Sequence, residues 1–137
     1  MDETILRVSS LEELFRTSEP TEEQPWAGAR PSADEMARVL GTTPRRIVTE
    51  LSGSSIAHWK HGELHDVVEP MKDHVIMTYI GTMQRLERRS GKTLASGTAR
   101  PGVVTIIPSG TSSRWDISGA VDVLQLYLPH AILERVA

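Results

Sequence analysis

The stretch that most constrains the fold is Pro101 to Trp115, PGVVTIIPSGTSSRW, which has sharp borders on both sides. The residues that follow the Pro-Gly turn are all β-branched, and such side chains are stiff at χ1 and pack well on a pleated surface. Pro108 lacks the backbone donor that a continuing strand needs, and Ser109 to Ser113 has the composition of a turn. The stretch therefore predicts a strand, a turn and a second strand that begins near Arg114.

Similar apolar runs recur along the chain, with Gly, Pro and Ser at the breaks between them. The predicted strands are residues 47–51, 55–61, 64–69, 74–80, 82–89, 93–100, 103–107, 114–117 and 121–128. Many short strands with turn residues between them are typical of an all-β sandwich or barrel. We predict a mostly β fold with a core from about residue 46 to 129, short helices before it and a helix that starts at about 130.

The first 31 residues differ in composition from the rest and predict a flexible arm, followed by one domain over residues 32–137. The arm is rich in proline and glutamate near its end, which is typical of a linker or surface segment. Trp26 either stays partly exposed or anchors the arm on the domain. Ser32 and Glu35 have capping-box spacing for a helix that ends at Gly41.

Charge and cysteine content limit the function classes. The formal net charge is −3, whereas a domain that binds DNA by itself usually carries a basic excess. The chain has no cysteine, which excludes disulfides and thiolate metal sites. Its acidic N-terminus does not resemble a signal peptide, and no apolar run reaches the roughly 20 residues that span a bilayer. We therefore expect a cytoplasmic protein without a membrane segment.

The order of elements around Gly102, Pro108 and Gly110 is similar to the second sequence motif of cupins. Residues from about Trp59 to Ala137 resemble the N-terminal effector-binding domain of AraC-type transcriptional regulators. The pieces that carry this resemblance are DHVIMTYIG, PGVVTIIPSG, Trp115, and VLQLYLP running into HAILERVA. The resemblance implies a cupin-type double-stranded β-helix that binds a small-molecule effector and forms a homodimer. It also implies that DNA binding belongs to a helix-turn-helix domain absent from this chain.

The residues that hold a metal in many cupins are changed here. The histidine position of the second motif is Ser113, and the glutamate position of the first motif is His74. His58, His61 and His65 remain nearby, but His58 and His61 would point to opposite faces of one strand. We predict neither a metal site nor another cofactor.

A ligand pocket is the favoured interpretation, because barrel mouths are common places for small-molecule sites. The first candidate is His74 and the second is Trp115, followed by Trp59, Thr78, Tyr79, Gln125 and Tyr127. Ordinary packing is the alternative for each of them. The interpretation requires a cavity beside His74 or Trp115.

Catalysis has less support than binding, since the chain has no cysteine and no G-x-S-x-G motif. We predict that the protein is not an enzyme, and a small cupin enzyme of the isomerase kind stays open as the alternative. A second alternative is a DNA-binding module over residues 33–51, where Ala37, Leu40, Gly41 and Ile47 have helix-turn-helix spacing.

The C-terminal segment carries the dimer prediction. Ile132, Leu133 and Val136 form one apolar stripe if residues from about 130 are helical. The stripe faces either the barrel or a second copy of the chain.

Overall fold

The structure is a computed structural model that describes residues 5–6, 29–81 and 83–136. Its strands are β1 (Ile5–Leu6), β2 (Arg46–Thr49), β3 (Ser55–His61), β4 (Leu64–Val68), β5 (Asp73–Tyr79), β6 (Gln84–Ser90), β7 (Thr93–Ala99), β8 (Val104–Ile107), β9 (Ser113–Ile117) and β10 (Val121–Pro129). The helices are α1 (Ser32–Leu40) and α2 (His130–Val136). The prediction of a mostly β fold is confirmed.

The antiparallel strand pairs are nested within one another. β6 pairs with β7, β5 with β8, β4 with β9, and β3 with β10. Such nesting is what results when one long hairpin is wound back on itself. The product is a double-sheet jelly roll, an architecture that cupins share. The predicted cupin-type double-stranded β-helix is therefore confirmed as the fold class.

The wound hairpin forms two sheets that enclose the core. The larger has the order β1-β8-β5-β10-β3-β2, and the smaller has the order β4-β9-β6-β7. Side chains alternate between the interior and the outer face, because successive residues of a strand point in opposite directions. On β10, for example, Val121, Val123, Gln125 and Tyr127 are buried. The turns before and after β8 place Gly102 and Gly110 at φ 91° and 76°, where a side chain would be strained.

Two points of the predicted N-terminal arm are attached to the roll. Ile5–Leu6 pairs with Val104 and Thr105 of β8, at the edge of the larger sheet. Arg30 forms an isolated bridge with Met71. Trp26 lies outside the described residues, as does most of the segment for which a flexible arm was predicted.

Helix α1 begins differently from the expected capping box. Pro31 occupies the N-cap, and no side chain caps the helix. The Ser32 hydroxyl instead donates to the Asp73 carboxylate at 2.8 Å, which ties the start of α1 to β5. Gly41 ends the helix in the left-handed conformation, with φ 68°, as predicted.

The helix-turn-helix alternative for residues 33–51 is wrong. After α1, the chain forms β2, which pairs with β3 from Arg46 opposite His58 to Thr49 opposite Ser55. Ile47, Val48 and Thr49 are β-branched, and in a short apolar run this composition favours a strand over a helix.

Helix α2 starts directly after β10, where the sequence predicts it. Ile132 is half-buried, whereas the side chains of Leu133 and Val136 lie outside the described part of the chain. The apolar stripe therefore stays a prediction. Among the described residues, the helices are too short or too polar to cross a membrane.

Candidate functional site

The interior of the roll contains a small cavity beneath α1, beside Trp115. Its free volume is about 30 Å³, which is comparable to the space of a single water molecule. Most of its wall is apolar, and the polar side chains in the wall are His61, Tyr79 and Gln125. An apolar concavity with a few placed polar groups has the composition of a small-molecule site.

Helix α1 closes this cavity. Met36, Val39 and Leu40 project from one helix face into the cavity wall, at the i, i+3, i+4 spacing of an amphipathic helix. Met36 is 2% exposed, so its thioether is a core group although α1 is not part of either sheet. The space available inside the roll therefore depends on where α1 lies.

A buried carboxylate fastens α1 to the rim of the roll. Glu35 is fully buried and accepts hydrogen bonds from Arg38 Nε and Nη2, at 2.9 and 2.6 Å. It also accepts the backbone N–H of Glu69 at 2.7 Å, just after β4. Burial alone would raise the pKa of Glu35, but the hydrogen bonds from Arg38 and Glu69 outweigh it and hold the pKa below its ordinary value. Arg38 additionally donates to the Val67 carbonyl at 2.9 Å.

A chain of three hydrogen-bonded side chains leads to the cavity from the larger sheet. The Trp59 indole N–H donates to the Tyr127 hydroxyl at 2.9 Å. The Tyr127 hydroxyl donates to the Gln125 carbonyl oxygen at 2.6 Å. The indole nitrogen can only donate, so the Tyr127 hydroxyl accepts from Trp59 and keeps its own hydrogen for the Gln125 carbonyl oxygen. The amide nitrogen of Gln125 is therefore the end that faces the cavity.

Among the described residues, the partners of the Gln125 amide nitrogen are weak acceptors. Its contacts are the Met36 thioether at 3.6 Å and the Met77 thioether at 3.8 Å. Sulfur in a thioether is a weak acceptor, while a buried amide donor is costly to leave without a good one. Gln125 is 2% exposed, so bulk water does not satisfy these N–H groups.

Two further polar groups in the wall already have partners. The hydroxyl groups of Tyr79 and Thr105 are 2.9 Å apart, and burial raises the pKa of Tyr79 to about 12. His61 Nδ1 donates to the Gly62 carbonyl at 2.8 Å, since a carbonyl can only accept. Burial lowers the pKa of His61, which keeps the ring neutral and leaves its Nε2 as an acceptor.

Trp115 is held in place both through its indole N–H and through the face of its ring. Its indole N–H donates to the Ser113 hydroxyl at 2.9 Å, at the position where the second cupin motif would have a histidine. The Arg88 guanidinium lies 5.2 Å from the ring centroid and donates to the Ile106 carbonyl at 3.0 Å. This is the geometry of a cation–π contact.

His74 differs from its expected position. It is fully buried, but it is not part of the cavity wall, because the inward positions of β5 are Val75, Met77 and Tyr79. Its ring lies against His130 of α2 instead, with 2.9 Å between His74 Nε2 and His130 Nδ1. Thr78 also lies on the outer face, where its hydroxyl donates to the Val103 carbonyl at 3.3 Å.

The structure thus brings five of the seven candidates to the interior. Tyr79, Trp115 and Gln125 line the cavity, while Tyr127 reaches it through its hydrogen bond to Gln125, and Trp59 reaches it through Tyr127. Their role in ligand binding stays a prediction.

The remaining histidines do not converge. His58 contacts Asp122 on the outer face, and His61 lines the cavity. His65 is exposed between Glu63 and Asp116. In the part of the chain that the structure describes, no three His, Asp or Glu side chains form a group that could hold a metal ion.

Sequence reasoning missed the contribution of α1 to the site. The spacing of Met36, Val39 and Leu40 showed an apolar helix face but not what that face covers. His61 was considered only as part of a loose histidine cluster. Its position on β3 at the same parity as the aromatic Trp59 was the available signal for an inward side chain.

Comparison with known proteins gives likeness to solved structures only. No protein-family model matches the chain. No curated protein matches it either.

Several solved structures share part of the fold. A putative ethanolamine utilization protein from Salmonella typhimurium is 20% identical, with a TM-score of 0.48, over 61% of this chain and 65% of that one. Oxalate decarboxylase from Bacillus subtilis is 13% identical, with a TM-score of 0.48, over 68% of this chain and 29% of that one. Vicilin from hazelnut is 15% identical, with a TM-score of 0.44, over 58% and 24%. At these identities and scores, no activity can be transferred to this chain.

Proposed function

We propose that this chain is the regulatory, small-molecule-binding domain of an AraC-type transcription factor, and that it is not an enzyme. The observation that carries the binding part is the closure of an apolar interior by α1, an element outside both sheets. The motif resemblance from Trp59 to Ala137 supports the regulator class. The proposal assigns contact with DNA to a helix-turn-helix domain elsewhere in such a regulator.

In this proposal, a ligand can bind only if α1 moves. The free volume of about 30 Å³ is too small for a metabolite, so a ligand gains its space when Met36, Val39 and Leu40 move. A ligand that binds only the open arrangement shifts the population toward it by as much as its affinities for the two arrangements differ. Movement of α1 would then be the signal that the rest of the regulator responds to.

The proposal includes a homodimer. Besides the stripe on α2, the outer face of the larger sheet carries an uninterrupted apolar row that crosses five strands. In register, this row is Val48, Ile56, Leu126, Ile76 and Ile106. Val48 and Ile56 are 50% and 49% exposed. We propose that a second copy covers this row, because a two-fold axis can place the same row against itself.

The binding part can be tested by native mass spectrometry of the purified chain. We expect one small molecule to be retained per chain, and a Val39→Trp variant, whose larger side chain fills the cavity, to lose it. The exposed Asp34→Trp change on the same helix is the matched control and should retain the molecule. A chain that carries no added mass, and that no neutral metabolite stabilises against heat, would contradict the proposal.

A further inference from the structure

The amide of Gln125 indicates the chemical class of the ligand, an inference that rests on the proposed function. Three features of the cavity matter: the donor at its end, the charge of its wall and the side chain that occupies the neighbouring space. Each restricts the ligand in a different way.

The donor restricts the polar group of the ligand. The Trp59–Tyr127–Gln125 chain uses the amide oxygen of Gln125 and leaves two N–H groups facing the thioethers of Met36 and Met77. An oxygen acceptor in this place would make stronger hydrogen bonds than a thioether does. The hydrogen-bond chain is therefore built to present a donor, and its natural complement is a carbonyl oxygen.

The charge of the wall restricts the ligand further. Of the described side chains that line the cavity, none is a Lys, Arg, Asp or Glu, and its histidine, His61, is neutral. Burying a carboxylate, phosphate or ammonium group without an opposite charge is strongly unfavourable. The wall therefore favours a neutral ligand, since the nearby buried Arg88 guanidinium lies over the Trp115 ring and donates to the Ile106 carbonyl.

The position of Met36 shows where the body of the ligand goes. Met36 contacts the Gln125 amide and is the α1 side chain that a ligand oxygen must replace. The surrounding wall of Val39, Leu64, Val68 and Ile117 is apolar.

From these contacts, we infer that the interior binds a neutral, mainly apolar molecule with one carbonyl oxygen, such as a ketone, ester, lactone or amide. The carbonyl oxygen accepts from the Gln125 amide, and the apolar body occupies the space of the Met36 side chain. His61 Nε2 offers an acceptor for a hydroxyl group elsewhere on the same molecule.

Two planar probes of nearly the same shape test this inference. Acetophenone carries a carbonyl, and α-methylstyrene has a CH₂ group in place of the oxygen. The host is the full chain with Met36→Ala, which opens space beside Gln125. Met71→Ala is the control, because Met71 is equally buried but does not line the cavity, and a probe bound in its place should not shift the Gln125 amide resonances.

Calorimetry gives the ratio of the two dissociation constants in Met36→Ala and in Met36→Ala/Gln125→Met. Comparing ratios removes the difference in how water solvates the two probes. We expect the ratio to favour acetophenone about tenfold more when Gln125 is present, as one good hydrogen bond would. Methionine keeps the length of the glutamine side chain and removes its donor.

A second measurement does not require the double variant to fold. In the NMR spectrum of Met36→Ala, acetophenone should move the side-chain amide resonances of Gln125 downfield, and α-methylstyrene should not. If both probes bind with unchanged ratios and no amide shift, the ligand class is wrong while the pocket remains. If neither probe binds Met36→Ala, the ligand class and the proposed function fail together.

Discussion

Nε2 of His74 donates a hydrogen bond to Nδ1 of His130 across 2.9 Å, which joins β5 to the first residue of α2. The direction follows from Ser109, whose backbone N–H donates to His74 Nδ1 at 3.1 Å and leaves the hydrogen on Nε2. The rings are tilted by 47°, with centroids 5.1 Å apart. This pair ties the outer face of β5 to the start of α2.

Acid should weaken the fold through His74. Burial, followed by the neighbouring His130, lowers the pKa of His74 from 6.5 to about 4. At a pH between these two pKa values, the unfolded chain takes up a proton that the folded chain does not. The free energy of unfolding therefore falls as the pH falls. The contribution should reach about 2 kcal/mol between pH 7 and pH 5.

The measurement is urea unfolding across this pH range, in the wild type and in His74→Asn. Asparagine keeps an acceptor near the Ser109 N–H but does not titrate. Carboxylates contribute equally to both proteins, so the wild type should lose stability more steeply with acid. Equal slopes would show that His74 is not the titrating group.

His65 should make stability depend on pH in the opposite direction. It is exposed, and hydrogen bonds to Glu63 and then to Asp116 raise its pKa. Its stabilising contribution is therefore fully present below the ordinary histidine pKa and disappears as the pH rises through the raised value. In thermal denaturation, the unfolding midpoint of the wild type should lie further above that of His65→Gln at about pH 5.5 than at about pH 8.5. A gap that widens with rising pH would refute this.

Ser113 should stabilise the fold through Trp115. Its hydroxyl is the acceptor for a buried indole N–H at 2.9 Å, and Ser113 is 2% exposed. Ser113→Ala leaves that donor without its partner, at a cost of about 1–3 kcal/mol. The neighbouring Ser112 is exposed, so Ser112→Ala should change the free energy of unfolding by less than about 0.5 kcal/mol.

Chemical denaturation measures both serine variants, and near-ultraviolet circular dichroism reports on the Trp115 environment. A Ser113→Ala variant as stable as Ser112→Ala would mean that the indole finds another acceptor.

Glu35 should control how readily α1 opens. Glu35→Gln keeps the side-chain shape but removes the charge that pairs with Arg38, and it should cost about 2 kcal/mol. Because Glu35 and Ser32 tie α1 to the roll, the amide protons of residues 36–40 should exchange faster, while those of β10 keep their protection. Hydrogen exchange by NMR measures both.

Asp34→Asn is the matched control, since Asp34 is an exposed acid in the same first turn. It should leave α1 exchange nearly unchanged. If Glu35→Gln speeds exchange in α1 and β10 alike, the helix does not open separately, and the ligand path through it is wrong.

The strands could be predicted because turn residues in the sequence mark where they begin and end. β8 is a β-branched run between Gly102 and Pro108, and β3 was predicted at Ser55–His61, the bounds that it has in the structure. Local turn chemistry and χ1 stiffness act within a few residues, so a single sequence displays them.

The interior could be predicted only in part, because strand parity separates two faces without telling which one is inward. His74 shares its face with Ile76 and Thr78, which is the outer face. His74 is buried there because His130 of α2 covers this end of β5. The position of α1 over the cavity depends on long-range contacts such as Glu35 with Glu69, which no local pattern contains.

Self-association should depend on the apolar row of the outer face. Ile56 is 49% exposed and is the second residue of that row, and Lys in its place would set a charge against the same row of a second copy. Leu94 on β7 is 51% exposed on the other sheet, so Leu94→Lys is a control of equal exposure. In sedimentation velocity over a range of concentrations, the wild type and Leu94→Lys should form dimers, and Ile56→Lys should weaken the dimer at least tenfold, by about 1.4 kcal/mol or more. A wild type that stays monomeric at every concentration would contradict the homodimer. Equal weakening by both lysines would place the contact elsewhere than on this face.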